Sequence, residues 1–194
     1  MEDPGTIPVS TVAGSGADFR RYLDMLEQAE TNGNCHASPF GSTAIGCYQM
    51  TSAALMDAGL KDAEGDWLDN PWGIDSDDEF RANRHAQATA MLRYTATNWR
   101  TVEPCLRDLI GSTVGGIALD QGALVAGAHL LGPTGLVRFV RCGLQAHCIP
   151  SPVAELNGGG HKLRAHAVRR MSAASGLRVL ESRGGTGSRC ALRT

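Results

Sequence analysis

Glu30 has the residue type and the setting for acid–base chemistry. It closes the segment 18–30, in which Phe19, Tyr22, Leu23 and Leu26 recur at helical spacing and mark one apolar stripe. Glu30 follows Leu26 by four residues and so falls on that stripe, while Asp24 and Glu27 supply the polar side. Thr31-Asn32-Gly33-Asn34 then stops the helix. A carboxyl at a helix end, aimed toward an apolar interior beside a loop, has its ionised form disfavoured. Its pKa moves toward the range where general acids operate. An arbitrary glutamate there is ordinarily a surface residue at a frayed end. What separates Glu30 from that case is the sequence after it.

A polar loop, residues 31–45, leads into Gly46-Cys47-Tyr48-Gln49, and Ala128-His129-Leu130-Leu131-Gly132 lies further on. With these three elements in this order, the stretch from about residue 17 to 140 resembles the lysozyme-like superfamily. The likeness is to soluble lytic transglycosylases and related bacterial and phage peptidoglycan hydrolases. That family carries a glutamate, usually followed by serine, at a helix end; here Glu30-Thr31 resembles it. Gly46-Cys47-Tyr48-Gln49 resembles the family's Gly-x-x-Gln, which opens another helix. The third stretch resembles Ala-Tyr-Asn-x-Gly, with His129 and Leu130 in place of the tyrosine and asparagine.

The resemblance implies an all-α, mainly helical, lysozyme-like domain with at most a minor β element. It also implies a glycosidase that cuts the link between N-acetylmuramic acid and N-acetylglucosamine. Glu30 would be the single general acid and base. Tyr48 and Gln49 would hold the N-acetyl group or sugar hydroxyls, or serve packing and capping instead. His129 stands where the family has a tyrosine near the acid, and it can charge near neutral pH. Asp57, Asp62, Asp66, Asp75 and Asp77 are all candidates for a second carboxylate, without a ranking. No cofactor and no metal are expected. The alternative is a catalytically inactive wall-binding or assembly module.

Six cysteines in 194 residues point to disulfides in an oxidising compartment, with fifteen full pairings open to them. Two pairs are attractive locally. Cys35 and Cys47 bracket the loop between Glu30 and the Gly46–Gln49 turn, and Cys142 and Cys148 bracket a short loop. Cys105 and Cys190 are left to tie the C-terminal tail to the body. Buried free thiols are the plain alternative. Cys142, His147 and Cys148 lie close together, but without zinc-finger spacing. The expected location is periplasmic or secreted. The N-terminus, Met-Glu-Asp-Pro-Gly, has no apolar core and does not read as a signal peptide, so another export route or a truncated leader is expected. The partners expected are peptidoglycan strands, with secretion machinery or an immunity protein as further candidates.

These residues need elements to position them. Composition suits one packed domain: 42% of residues are hydrophobic, 5% are aromatic, and net charge is −2. Scattered basic residues speak against a nucleic-acid surface. No stretch is expected to reach the roughly twenty apolar residues that span a bilayer. The organisation expected is an N-terminal extension over 1–16, the catalytic domain over 17–176 and a flexible tail over 177–194. Within the domain, helices are expected over 51–58, 80–99, 102–110, 121–131, 136–141 and 161–175. Gly59 and the Gly132-Pro133-Thr134-Gly135 run are breakers, and Asp120 is a helix cap. The loop 62–78 holds Trp67 and Trp72, which would either line a glycan groove or pin the loop to the core. Arg164, Arg169 and Arg170 give the last helix a basic face.

Overall fold

A computed structural model describes residues 16–37, 43–150, 154–155, 159–180 and 189–192. Most of the expected N-terminal extension and residues 181–188 of the expected tail lie outside the described residues. The fold is mainly helical with one small hairpin, as expected. The chain divides into two compact units, Met1–Thr97 and Asn98–Thr194.

In the first unit, α1 runs over Gly16–Thr31. It buries Tyr22, Leu23 and Leu26, the stripe legible in the sequence. It ends where Asn32 and Gly33 adopt left-handed φ values of 49° and 84°. Helix α2 covers Ser52–Asp57; the Thr51 hydroxyl accepts from the Ala54 N–H at its start, and Gly59 follows its end with φ 70°. Helix α3 covers Asp77–Ala82. Ser76 caps it, and three acids fill its first turn, where the helix dipole favours them.

Helix α4 covers Arg84–Leu106. The single helix expected over 80–99 is therefore broken at Asn83. Its side-chain oxygen accepts the Ala86 N–H at 2.9 Å and so starts a new helix. The break expected before Pro104 is absent, since Pro104 lies inside α4. Tertiary packing there outweighs the lost N–H, and Val102, Cys105 and Leu106 are all buried. The division between the two units falls within α4.

In the second unit, Thr113–Val114 (β1) and Ile117–Ala118 (β2) pair antiparallel around Gly115 and Gly116. Helix α5 spans Gln121–Arg141, with Asp120 as its cap and a non-helical Gly132 at φ 69°. Helix α6 spans Gly160–Ala174. These two pack at very short range. A Cβ on Gly122 would lie 2.0 Å from the Ala174 carbonyl oxygen, and one on Gly127 would lie 3.1 Å from Met171 Cγ. Asp120 has a second task besides capping: its other oxygen accepts from Ser175 Oγ at 2.8 Å and from the Gly176 N–H at 2.6 Å.

Three sequence expectations are corrected in this unit. Residues 177–180 are not loose: Leu177, Val179 and Leu180 are buried, and the Leu180 N–H donates to Gln121 Oε1 at 2.8 Å. Arg164 is not simply part of a solvated basic face, because its Nε donates to the Leu144 carbonyl at 2.7 Å. Finally, α5 is long and apolar enough to cross a membrane by length and composition, with a mean hydropathy of 1.4. Its Leu, Val and Ala residues bring about that value, and 61% of the apolar window is buried.

Three disulfides cross-link the chain: Cys35–Cys47, Cys105–Cys190 and Cys142–Cys148. This is the pairing that loop positions favoured. It marks an oxidising, extracytoplasmic setting.

Candidate active site

The Gly46–Gln49 turn is held in three ways, all within the first unit, and the second and third of them tie it to the end of α1 and the residues just after it. Ile45 and Met50 exchange both backbone hydrogen bonds at 3.0 Å, which closes Gly46–Gln49 into a four-residue turn. Gly46 has φ 76°, a conformation that suits glycine, and a Cβ there would sit 2.6 Å from Gln87 Oε1. Gln87 is 1% exposed and saturated: its Oε1 accepts the Cys47 N–H at 2.7 Å, and its Nε2 donates to the carbonyls of Phe80 and Arg81, each at 2.9 Å. The second fastening is the Thr31 hydroxyl, 3.1 Å from the Glu27 carbonyl and 3.3 Å from the Cys47 carbonyl. The third is the Cys35–Cys47 disulfide. Gln87 carries no sequence motif. Only its burial and its long-range partners identify it as the residue that holds the turn.

Gly46→Ala is therefore expected to destabilise the first unit by about 2–4 kcal/mol, because the left-handed backbone is strained and three buried hydrogen bonds of Gln87 are disturbed. Thermal unfolding checks this; a midpoint equal to that of the wild type would remove Gln87 as the holder of the turn.

Glu30 lies half-buried in the last turn of α1, next to Thr31. Glu27, read from sequence as an exposed polar-face residue, is also withdrawn: its side chain is 16% exposed and its Oε2 meets Arg84 Nη2 at 2.5 Å. Arg84 also places Nη1 3.0 Å from Cys35 Sγ, so the ion pair lies over the disulfide. Arg84 stays charged beyond its ordinary range through this bond to Glu27.

Tyr48, read from sequence either as a sugar contact or as a packing residue, is only 5% exposed and packs inside. Burial, with Glu27 second and Arg84 opposing, pushes its hydroxyl from 10.0 up to about 12. The folded state then holds a proton that the unfolded state releases. Stability is full below about pH 10 and falls by about 2–3 kcal/mol as pH rises from there through about 12. Denaturant unfolding at rising alkaline pH should show this fall in the wild type and a shallower one in Tyr48→Phe. Parallel curves would contradict it.

Gln49 adopts a left-handed φ of 48°, and its Nε2 donates to the carbonyls of Gly46 at 2.9 Å and Ala37 at 3.2 Å. Its Oε1 is buried without a hydrogen-bond partner among the described residues. His129 is half-buried on α5 and belongs to the second unit, whereas Glu30, Tyr48 and Gln49 belong to the first. Of the candidate second carboxylates, Asp62 accepts the N–H groups of Glu64 and Asp66 in its own turn, and Asp77 pairs with Lys61 at 2.9 Å. Asp57, Asp66 and Asp75 are exposed.

Two groupings bring cysteine sulfur near other ligand types, Glu27 with Cys35 and Cys47, and His147 with Cys142 and Cys148. In both the sulfurs are committed to disulfides and are not thiolate ligands. Compared with protein-family models, curated proteins and solved structures, the chain matches none.

Proposed function

We propose that the chain is a peptidoglycan glycosidase of lysozyme or lytic transglycosylase type, with Glu30 as its single general acid and base. One observation carries this reading. Glu30 sits half-buried at a helix end whose next residue, Thr31, hydrogen-bonds the Gly46–Gln49 turn. In that turn Gln49 Oε1 is an acceptor with no hydrogen-bond partner among the described residues, so its capacity for an N–H is unused.

Glu30 protonates the glycosidic oxygen as the bond to the muramic acid C1 breaks, and the released chain leaves with a 4-hydroxyl. The carboxylate then takes the proton from the attacking hydroxyl. That hydroxyl belongs to water or to the muramic acid C6, and the second case closes a 1,6-anhydro ring. Disulfide bonding fits a periplasmic or secreted site of action. The partners are then glycan strands, with secretion machinery and an immunity protein as further candidates.

The inactive wall-binding module is favoured by two observations. Tyr48 packs inside, and the Gln49 amide bonds its own loop. Mass spectrometry of soluble material released from purified sacculi separates the two readings. Reducing or anhydro-muramic ends are expected; intact glycan with cleaved stem peptides, or no release at all, would reject the glycosidase.

A further inference from the structure

We infer that Trp72 is the stacking platform of a saccharide subsite in the first unit, taking the pyranose ring of an amino sugar from a β-1,4 glycan. The choice of sugar rests on the glycosidase reading; the site itself stands on its own geometry. An open cleft of about 390 Å³ is lined by Trp72, Ile74, Glu79, Asn83 and Arg84. The cleft is wide open to solvent, so it would take one face of a ligand and leave the other exposed.

Each loop tryptophan has one ring neighbour and one cation over the indole, and what separates them is that Trp72 lines the open cleft. Trp67 packs against Phe80, ring centroids 5.3 Å apart, with the Lys61 ammonium 4.6 Å over its ring. It pins the loop to the core. Trp72 borders the open cleft instead, and its surroundings hold it in place. Asn70 Oδ1 accepts the N–H groups of Trp72 at 3.2 Å and Ile74 at 3.1 Å, while its Nδ2 donates to the carbonyls of Leu68 and Ile74. His85 meets the indole edge-on at 6.1 Å, and the Arg93 guanidinium lies 6.0 Å from its centroid. Such a platform needs little ordering when a ligand arrives.

The polar groups around the cleft select the ligand. The Asp75 N–H, 2.9 Å from Glu79 Oε2, holds that carboxyl below its ordinary range, so Glu79 is an ionised acceptor. Arg84 is a donor anchored by Glu27, and the Asn83 amide brings two N–H donors. An anion would face Glu79, and a cation would face Arg84. A neutral ring with hydroxyls satisfies both signs, and its axial C–H face suits the negative face of an indole. Arg84 belongs both to this cleft and to the ion pair over Cys35–Cys47, which joins the cleft to the candidate active site.

The test is titration of chitotetraose, the β-1,4 tetramer of N-acetylglucosamine, into the full chain carrying Glu30→Gln, followed by calorimetry and tryptophan fluorescence. Binding with a fluorescence change is expected. Trp72→Ala should weaken it about tenfold. Trp72→Phe should abolish the fluorescence change and keep part of the affinity, whereas Trp67→Phe should leave the change in place. Undiminished affinity in folded Trp72→Ala, or no binding up to about 10 mM, would overturn the platform. If wall lysis still depends on Glu30 when chitotetraose does not bind, the platform fails and the glycosidase stands. Lysis that survives Glu30→Gln rejects the glycosidase and leaves the binding result to be judged by itself.

Discussion

Glu30→Gln is expected to cut the release of soluble fragments from sacculi by about 10²–10⁴-fold, with a thermal midpoint close to that of the wild type. Glutamine keeps the shape of the side chain and its hydrogen-bonding oxygen but cannot pass a proton to a leaving oxygen. The position is half-buried at a helix end, so the swap costs little packing. Glu27→Gln is the matched control. It sits one turn earlier on α1, and its charge is spent on Arg84 over the Cys35–Cys47 bridge. Because Arg84 is 62% exposed there, solvent screening limits the loss of stability to about 1 kcal/mol, and lysis should persist. The outcome is read from turbidity, fragment mass and thermal unfolding of both variants side by side. Full lysis by Glu30→Gln refutes its role. Lysis lost only in Glu27→Gln would move the acid one turn back along α1.

Removing Cys105 and Cys190 together, each as Ala, is expected to be the most destabilising of the three disulfide deletions. The bridge spans a sequence separation of 85, against 12 for Cys35–Cys47 and 6 for Cys142–Cys148. In the chain-entropy account those closures are worth about 4–5, about 3 and about 2–2.5 kcal/mol. Cys105 is also 2% exposed beside Val102, Leu106 and Leu124, so its loss leaves a small defect in the core of the second unit. Against a typical total stability of about 5–15 kcal/mol, the first figure is large enough to leave that unit partly unfolded at body temperature. Urea unfolding of the three double variants checks the order. Equal losses would show that loop closure is not what these bridges contribute.

The site and the fold were legible to different depths. Helix α1, its stop at Asn32 and Gly33, the Asp120 cap and the break at Gly132 depend on neighbours within about four residues, so a local pattern reveals them. Cysteine positions alone also pointed to the pairing found. Asn favours caps over helix interiors, so Asn83 was a signal for a break, but the helical periodicity on both sides masked it, and the bond to Ala86 settles it. Gln87 was hidden because its partners, Cys47 and Phe80, lie 40 and 7 residues away. Tyr48 stayed open between sugar contact and packing because nothing local tells a buried tyrosine from an exposed one.

By itself, then, the sequence determined a helical chain, a cysteine count that calls for cross-links and a glutamate at the end of an apolar stripe, since periodicity and capping act over short stretches of backbone. Only the tertiary structure decided that Glu27 is withdrawn to meet Arg84, that Tyr48 is inside, and that Trp67 packs while Trp72 faces a cleft. Those outcomes come from burial and long-range pairing. Both depend on which distant segments fill the space beside a side chain, and no spacing along the chain encodes that.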